Sequence, residues 1–526
     1  MLGFEGEHAR EKVIVLLTMC FALAMAMLDN TVVNVALPSI QLHLGAGFSE
    51  LQWVVDGYVL AFASLLLTGG ILGDRYGRKK IFLIGLVVFT IFSFMCGVSQ
   101  NATQLIVFRA LQGVGGALMI PGTLSIITVT FPPQERAKAL GIWAGVSGIA
   151  LALGPTLGGY MVEHLGWASV FFLNVPIGIT AFFVAMSTVT ESVSEVERKL
   201  DVVGLALGTS ALFFVTYGLI EANQLGWSSP RIVGSFVLFA VLLASFLYWE
   251  LKNEHAMMPL RFFKIPAFSA GNTVAFSVSL GMFATFFFLT LYMQLIHGYS
   301  PFQAGAAFLP MTLAIIITAP NAGKYASEHG SRAPMTYGLI LGGTGLVLLG
   351  LLLTPTTSYW VLFPIFILMG HGLGSTMAPM TAAVMNSVGH ERAGLGSAMT
   401  NTSREVGGVL GIALLGAILT TKLNSAFAPA VANLGLSRTQ LATVSDAAKH
   451  GTLSVDGLNP TQAQGVLVAF KDAFMQGFHP ALVFAGCILL VAAVIANRFI
   501  PGRETVAAHH AAAAGQPAQE QLAVEM

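Results

Sequence analysis

The chain has 526 residues, with 25 Lys and Arg balancing 25 Asp and Glu, and is 55% hydrophobic but only 10% charged. A mean hydropathy of +0.77 and repeated apolar stretches of about 20 residues exclude a soluble core and indicate many membrane spans. Zero net charge without a basic face excludes a nucleic-acid binder, and Cys20, Cys96 and Cys487, all inside predicted spans, read as packing residues rather than disulfides or metal ligands.

The first apolar run, Val13 to Leu37, follows an acidic head and stays apolar past any cleavage point, so it reads as a span and not a secretion signal. Further spans are predicted at Gln52–Leu72, Ile81–Val98, Gln104–Ile126, Ala137–Met161 and Ala168–Ser187, giving a six-helix unit over residues 1–188. The polar stretch 189–201, with Glu191, Glu195, Glu197, Arg198 and Lys199, reads as a cytoplasmic linker. Two spans, Val202–Ile220 and Val233–Trp249, fill residues 202–250. Six more follow within 251–500, near Phe268–Gln294, Gln303–Ala322, Met335–Leu353, Trp360–Met385, Leu395–Thr420 and Pro480–Asn497, for about fourteen in all. Residues 421–477 form the longest predicted loop, on the extracellular side, as a cap, a hairpin or a strap. The tail, 501–526, is polar and Ala-rich and is predicted to be disordered.

Between the second and third spans lies a charged island, Gly70, Ile71, Leu72, Gly73, Asp74, Arg75, Tyr76, Gly77, Arg78, Lys79, Lys80, which the pattern predicts to be a loop. Its basic residues place it on the cytoplasmic side. Counting from it, the loops with Arg136 and Lys138, Arg198 and Lys199, Lys324 and Arg332, and Arg392 fall on the same side, and both termini are cytoplasmic.

Ionisable side chains deep in a span cost several kcal/mol unless they face a cavity or a partner. Asp29 lies in the first span beside Asn30, Thr31 and Asn34, which share a polar stripe with it; it is either a structural acceptor or a functional carboxylate. Asp56 sits near the start of the second span and is either hydrated or functional. Arg109, in the fourth span with Gln112, cannot give up its proton, so it pairs with or tunes a carboxylate. Arg404 and Glu405, in the thirteenth, are either a mutually neutral pair or a second protonation or cation site. Phe286, Phe287, Phe288 and Tyr292 offer aromatic contacts to a substrate, or pack against lipid or helix.

The fifth span carries Gly148, Gly154, Pro155, Gly158 and Gly159, a pattern that bends a helix and lets a neighbour approach closely. No phosphate loop of the G-x-x-x-x-G-K-S/T form is present, which leaves an ion gradient rather than ATP or a bound cofactor as the energy source.

These residues resemble a known family. Gly70 to Lys80 resembles the loop between the second and third spans of the major facilitator superfamily, with Gly73 where an Ala is customary before Asp74. Arg109, Gln112 and Gly113 resemble its fourth-span motif, and Gly154, Pro155, Gly158 and Gly159 the fifth-span motif of its antiporters. Leu28 to Pro38 and the fourteen-span count are similar to the drug/proton antiporters of that superfamily. So is the run Phe171, Phe172, Leu173, Asn174, Val175, Pro176, Ile177, Gly178, although Ala168 and Ser169 replace the usual Arg and Trp.

The resemblance implies an all-α integral membrane protein of the cell membrane, two six-helix bundles plus two extra helices, that is a transporter and no enzyme. It implies multidrug efflux and antibiotic resistance by alternating access, with protons exchanged for a lipophilic, in part cationic substrate. Asp29, Arg109, Glu405 and Asp56 would couple protons, and Asn30, Asn34, Gln112, Phe286 and Tyr292 would line the substrate site. Gly70, Gly73, Asp74, Arg75, Gly77, Arg78 and the fifth-span Gly154, Pro155, Gly158 and Gly159 would gate, with Asp74 reaching a neighbouring helix end as a latch. The alternatives are a lipid or lipid-precursor exporter on the same fold and, less favoured, a membrane sensor that does not transport. Partners are thus a small molecule, protons and membrane lipid, while the sequence is silent on oligomeric state.

Overall fold

The computed structural model describes residues 9–193, 200–253, 256, 258–388, 393–449 and 457–502, and every regular element among them is helical. In chain order α1 spans Ala9–Leu44, α2 Phe48–Tyr76, α3 Arg78–Gly97, α4 Ala102–Thr130 and α5 Pro133–Leu165. The sixth span is interrupted at Leu173, giving α6, Ser169–Phe172, and α7, Asn174–Thr188. Next come α8, Val202–Leu225, α9, Pro230–Lys252, and α10, Pro266–Leu291, which ends in a π turn at Tyr292–Ile296. The remainder is α11, Pro301–Ala306, α12, Leu309–His329, α13, Arg332–Leu352, α14, Tyr359–Val388, α15, Ala393–Ala432, α16, Arg438–Lys449, and α17, Pro460–Phe499. Among the described residues 13 segments are long and apolar enough to cross a membrane, and the 33-residue α5 is a further long helix.

Local chemistry sets many of the helix starts. Asn101, Ser229, Ser300 and Asn459 each accept a hydrogen bond from the backbone N–H three residues on. At Ser300 and Asn459 the Gln at that position returns its side chain to the cap's own N–H, closing a capping box. Pro230, Pro301 and Pro460 follow directly, where a missing N–H removes no helical bond.

The helices pack as two six-helix bundles. In the first, α4 packs on α2 and α3 while α1 packs on α5; in the second, α10 packs on α15, α12 on α14, and α13 on α14 and α17. The additional pair, α8 and α9, lies on the seam, with α8 against both α2 and α15. Trp53 of α2 donates to Glu221 of α8 at 2.9 Å, and Asn223 of α8 is bonded to Ala417 O at 3.2 Å and to the Thr421 hydroxyl at 2.7 Å.

Two expectations change. The island is not a loop: α2 runs through Gly70 to Tyr76, α3 begins at Arg78, and Gly77 alone breaks the helix, with φ 111°. Charge at a membrane surface does not end a helix, whereas a residue at positive φ does. Asp74 of α2 meets the side chain of the first residue of α3, its Oδ1 accepting from Arg78 Nε at 3.0 Å and Nη2 at 2.8 Å, and not the backbone N–H groups of that helix end. The carboxylate over the α3 N-terminus belongs to Glu191, which accepts from the N–H groups of Lys79 and Lys80, each at 3.1 Å.

The loop 421–477 is largely helical as well. α15 continues past Thr420 to Ala432, α16 follows, and α17 starts at Pro460, well before the predicted Pro480. Hydropathy marks only the part of a helix inside the membrane, and these extensions carry their own apolar core: Phe427, Val431, Val466, Phe470 and Phe474 are buried, with the Phe427 and Phe470 rings edge-to-face at 6.1 Å. Glu195, Glu197, Arg198 and Lys199 of the linker, Arg392, residues 450–456 and the tail from 503 lie outside the described residues.

Gly77 joins two constraints, since a Cβ there would meet a positive φ and stand 2.8 Å from the Glu191 carboxyl carbon. Gly77→Ala is expected to destabilise the protein by about 1–3 kcal/mol, seen as a lower melting temperature of the purified protein, with a smaller drop for Glu191→Gln.

A buried ion pair and the seam between the bundles

Asp29 of α1 is met by α4 and α7. Its Oδ2 is paired with Arg109 Nη1, and its Oδ1 accepts from Gln112 Nε2 and Asn174 Nδ2, both at 2.9 Å. Arg109 and Gln112 stand three residues apart on one face of α4, which brings both to the same carboxylate. Arg109 also donates to Val54 O at 3.1 Å and to Gln112 Oε1 at 2.9 Å, and its guanidinium lies 4.2 Å from the Tyr58 ring centroid. Asn174 opens α7 after the break at Leu173 and reaches Ser93 Oγ at 3.0 Å, which in turn donates to Phe171 O at 2.8 Å. Asp29 is 2% exposed and Arg109 0%, so the pair is dry. Removing one partner of such a pair leaves an uncompensated charge and costs roughly 3–5 kcal/mol, which ties any change of charge on Asp29 to the packing of three helices.

The other deep carboxylates are not hydrogen-bonded into this network. Gln52 of α2 donates to Ile412 O of α15 at 2.9 Å across the seam. Asp56 is one turn on from Gln52, and Glu405 two turns before Ile412, so both belong to the helix faces that meet there. Both are buried; neither oxygen of Asp56, nor Oε2 of Glu405, accepts a hydrogen bond. On α1, Asn34 Nδ2 donates to Asn30 O at 3.3 Å, while the Oδ1 atoms of both Asn30 and Asn34 are buried without a donor.

Three residues expected at a substrate surface have partners within the protein. Gln112 is engaged by Asp29 and Arg109. Phe286 turns into the second bundle, its ring 5.0 Å from that of Phe308. Tyr292 donates to Thr354 O at 2.7 Å, lies 2.8 Å from His297 Nε2, and stacks on Phe478. Successive residues turn by about 100° around a helix, so an aromatic run cannot all face one way. The rings that cross the seam are Phe287 and Phe288, packed on Phe48 of α2 at 6.1 and 6.0 Å. One participant escapes the sequence reading, Asn174, quoted there only within a motif.

The Gly face of α5 forms the opposite seam. Gly154 and Gly158 lie against Thr31 and Val32 of α1, and a Cβ on Gly159 would stand 2.8 Å from Phe302 Cα of the second bundle. Thr156 donates to Gly305 O at 3.2 Å. At the end of α5 Glu163 accepts from the Ser300 hydroxyl at 2.5 Å and the Phe302 N–H at 3.0 Å, and these two donors hold its carboxyl below the usual range. Gln294 Nε2 donates to Val35 O at 3.0 Å. These hydrogen bonds between the bundles lie toward the membrane face opposite Gly77, and they close the protein at that face.

Residues 19–412 match the family model described as Major Facilitator Superfamily. The tetracenomycin C resistance and export protein of Streptomyces glaucescens is 35% identical, over 91% of this chain and 90% of its own length. The methylenomycin A resistance protein of Bacillus subtilis is 35% identical over 77% of this chain and 87% of its own, and the puromycin resistance protein of Streptomyces alboniger 32% over 94% and 92%. Among solved structures, a bacterial homolog of the human lysosomal transporter Spinster, in an inward-facing and occupied conformation, superposes with a TM-score of 0.61 at 18% identity, covering 94% of this chain and 98% of that one. On these grounds, and with two six-helix bundles flanking an extra helix pair, the chain belongs to the Major Facilitator Superfamily of membrane transporters.

Proposed function

We propose that the protein is a proton-coupled antiporter of the cell membrane that exports lipophilic small molecules, cations among them, with both termini cytoplasmic. The observation that carries this reading is the buried Asp29–Arg109 pair, a titratable group placed where its charge state decides how α1, α4 and α7 hold together. Protonating Asp29 removes the counter-charge from Arg109, which keeps Val54 O, Gln112 and the Tyr58 ring as partners. The unpartnered carboxylate oxygens of Asp56 and Glu405 supply negative charge for a cationic substrate in the seam. Three relatives at 32–35% identity are named for resistance to antibiotics, one also for export, which supports small-molecule efflux as the task.

The bundles 1–188 and 251–500 would rock about the seams. In the direction proposed, the closed face is extracellular and the face bearing Gly77, Lys79 and Lys80 is cytoplasmic.

In proteoliposomes, Asp29→Asn is expected to abolish substrate-driven proton movement while binding of a lipophilic cation persists. Intact proton movement in that variant would remove Asp29 from the coupling.

Glu163 gives a pH-dependent expectation. Its folded-state pKa is depressed, so the tie to Ser300 and Phe302 is present above the ordinary carboxylate value and is lost as pH falls through the lower folded value. External acid should therefore loosen the closed face. Glu163→Gln is expected to loosen it already at neutral pH, read as several-fold faster reaction of a Thr156→Cys probe with an impermeant maleimide added from outside.

A further inference from the structure

On the outer surface of the first bundle, α1 and α7 diverge to leave a groove of about 430 Å³. Its walls include Leu17 and Phe21 of α1, 42% and 59% exposed, and Ile177 and Ala181 of α7. The groove also holds two hydroxyls, and both are turned back into their own helices: Thr18 donates to Ile14 O and Thr180 to Pro176 O, each at 2.8 Å. What remains is an apolar channel. A polar ligand would lose hydrogen bonds on entering it, whereas an alkyl chain loses none.

The groove is not part of the seam. Its described lining comes from α1 and α7 alone, with no residue of the second bundle, and the exposed Leu17 and Phe21 open it toward hydrocarbon.

Its mouth is charged. Arg10 is exposed and, with Ile14, Leu17 and Phe21, falls on one stripe of α1. From Arg10 to Phe21 is eleven residues, about 16 Å at 1.5 Å per residue, close to one leaflet of a hydrocarbon core roughly 30 Å thick. Lys12, the neighbouring cation, is engaged by Glu135 at 2.8 Å. The stripe thus places a guanidinium at headgroup depth and an apolar channel below it for the thickness of one leaflet.

We infer that this groove binds one acyl chain of an anionic phospholipid, with its phosphate at Arg10. Within a bilayer there is no hydrophobic drive for a chain to leave its neighbours, so selectivity comes from charge at the mouth and from filling a space that helix packing leaves empty. The site has a consequence for the ion pair, because Ile177 lies less than one turn from Asn174, which holds Asp29. On α7, then, the wall of the groove begins beside the residue that makes that bond, and a chain lodged there bears on the position of Asn174.

The test is photo-crosslinking in nanodiscs with phosphatidylglycerol bearing a diazirine on its acyl chain, mapped by peptide mass spectrometry. Labelling of residues 10–24 and 174–188 is expected to exceed that of the lipid-exposed α9 several-fold, and to exceed labelling by the phosphatidylcholine analogue several-fold. Ala181→Trp should remove the excess by filling the groove. Arg10→Gln, a surface change that leaves the fold intact, should remove the headgroup preference while retaining labelling. Labelling spread evenly over α9, or equal labelling by both headgroups in the unmodified protein, would overturn the assignment.

Discussion

The first bundle depends on bringing one carboxylate and one guanidinium together where neither can be hydrated. Separately, each would be costly at that depth. Together they are tolerable only with their remaining donors and acceptors satisfied, and the structure meets that condition with three helices. α1 supplies Asp29, α4 supplies Arg109 and Gln112 from one face, and α7 supplies Asn174 at the residue where the sixth span restarts. The Tyr58 ring closes the guanidinium from the α2 side. A bundle whose helices share one such network moves most readily as a body, which leaves the seams between bundles as the places where shape can change.

The two seams are built differently. At α5 and α11, glycines let backbone meet backbone, and the polar ties, Thr156 to Gly305 and Glu163 to Ser300 and Phe302, sit at the edge of the contact. At α2 and α15 the contact runs through side chains, Gln52 and the Phe48–Phe287–Phe288 group, and α8 leans on both helices. Glu221 holds one bundle and Asn223 the other. Opening the first seam breaks the ties of Thr156 and Glu163 at its edge, whereas opening the second requires α8 to release one of its two partners or to bend with them.

How much of this was legible in the sequence follows from what each signal measures. The rule that a charge in hydrocarbon needs a partner singled out Asp29 and Arg109, and the glycine spacing in the fifth span announced a close neighbour, though not that Gly159 would meet Phe302 in the other bundle. Partner identity was harder. Asn174 and Gln112 are uncharged, and nothing in one dimension separates an amide that holds a carboxylate from one that faces a ligand. The neighbours of Phe286 and Tyr292 were hidden for a related reason, since an apolar run says how buried a helix is but not which ring faces which bundle. The residues 421–477 read as loop because hydropathy falls when a helix leaves the membrane, although the helix itself continues and buries Phe427 and Phe470. Gly70 to Lys80 read as loop for the opposite reason, as charge density suggests irregular structure where one glycine makes the break.

The carboxylates differ in a way that bears on the proposed division of labour. Asp29 accepts from Arg109, Gln112 and Asn174, so a cation could approach it only by displacing donors already in place. A proton is different: it binds the same oxygens without needing room, and in doing so weakens each of those bonds. Asp56 and Glu405 have buried oxygens with no donor at all, an arrangement that is unfavourable until something positive or hydrogen-bonding arrives. Donors that hold an ionised carboxylate oppose its protonation, so a proton on Asp29 goes together with a loosening of its ties to α4 and α7, whereas Asp56 and the free oxygen of Glu405 have no such ties to lose. Glu405 belongs to the second bundle and Asp56 to the first, so in the function proposed a cation between them would span the seam, and separation of the bundles would leave each carboxylate to face it, or water, alone.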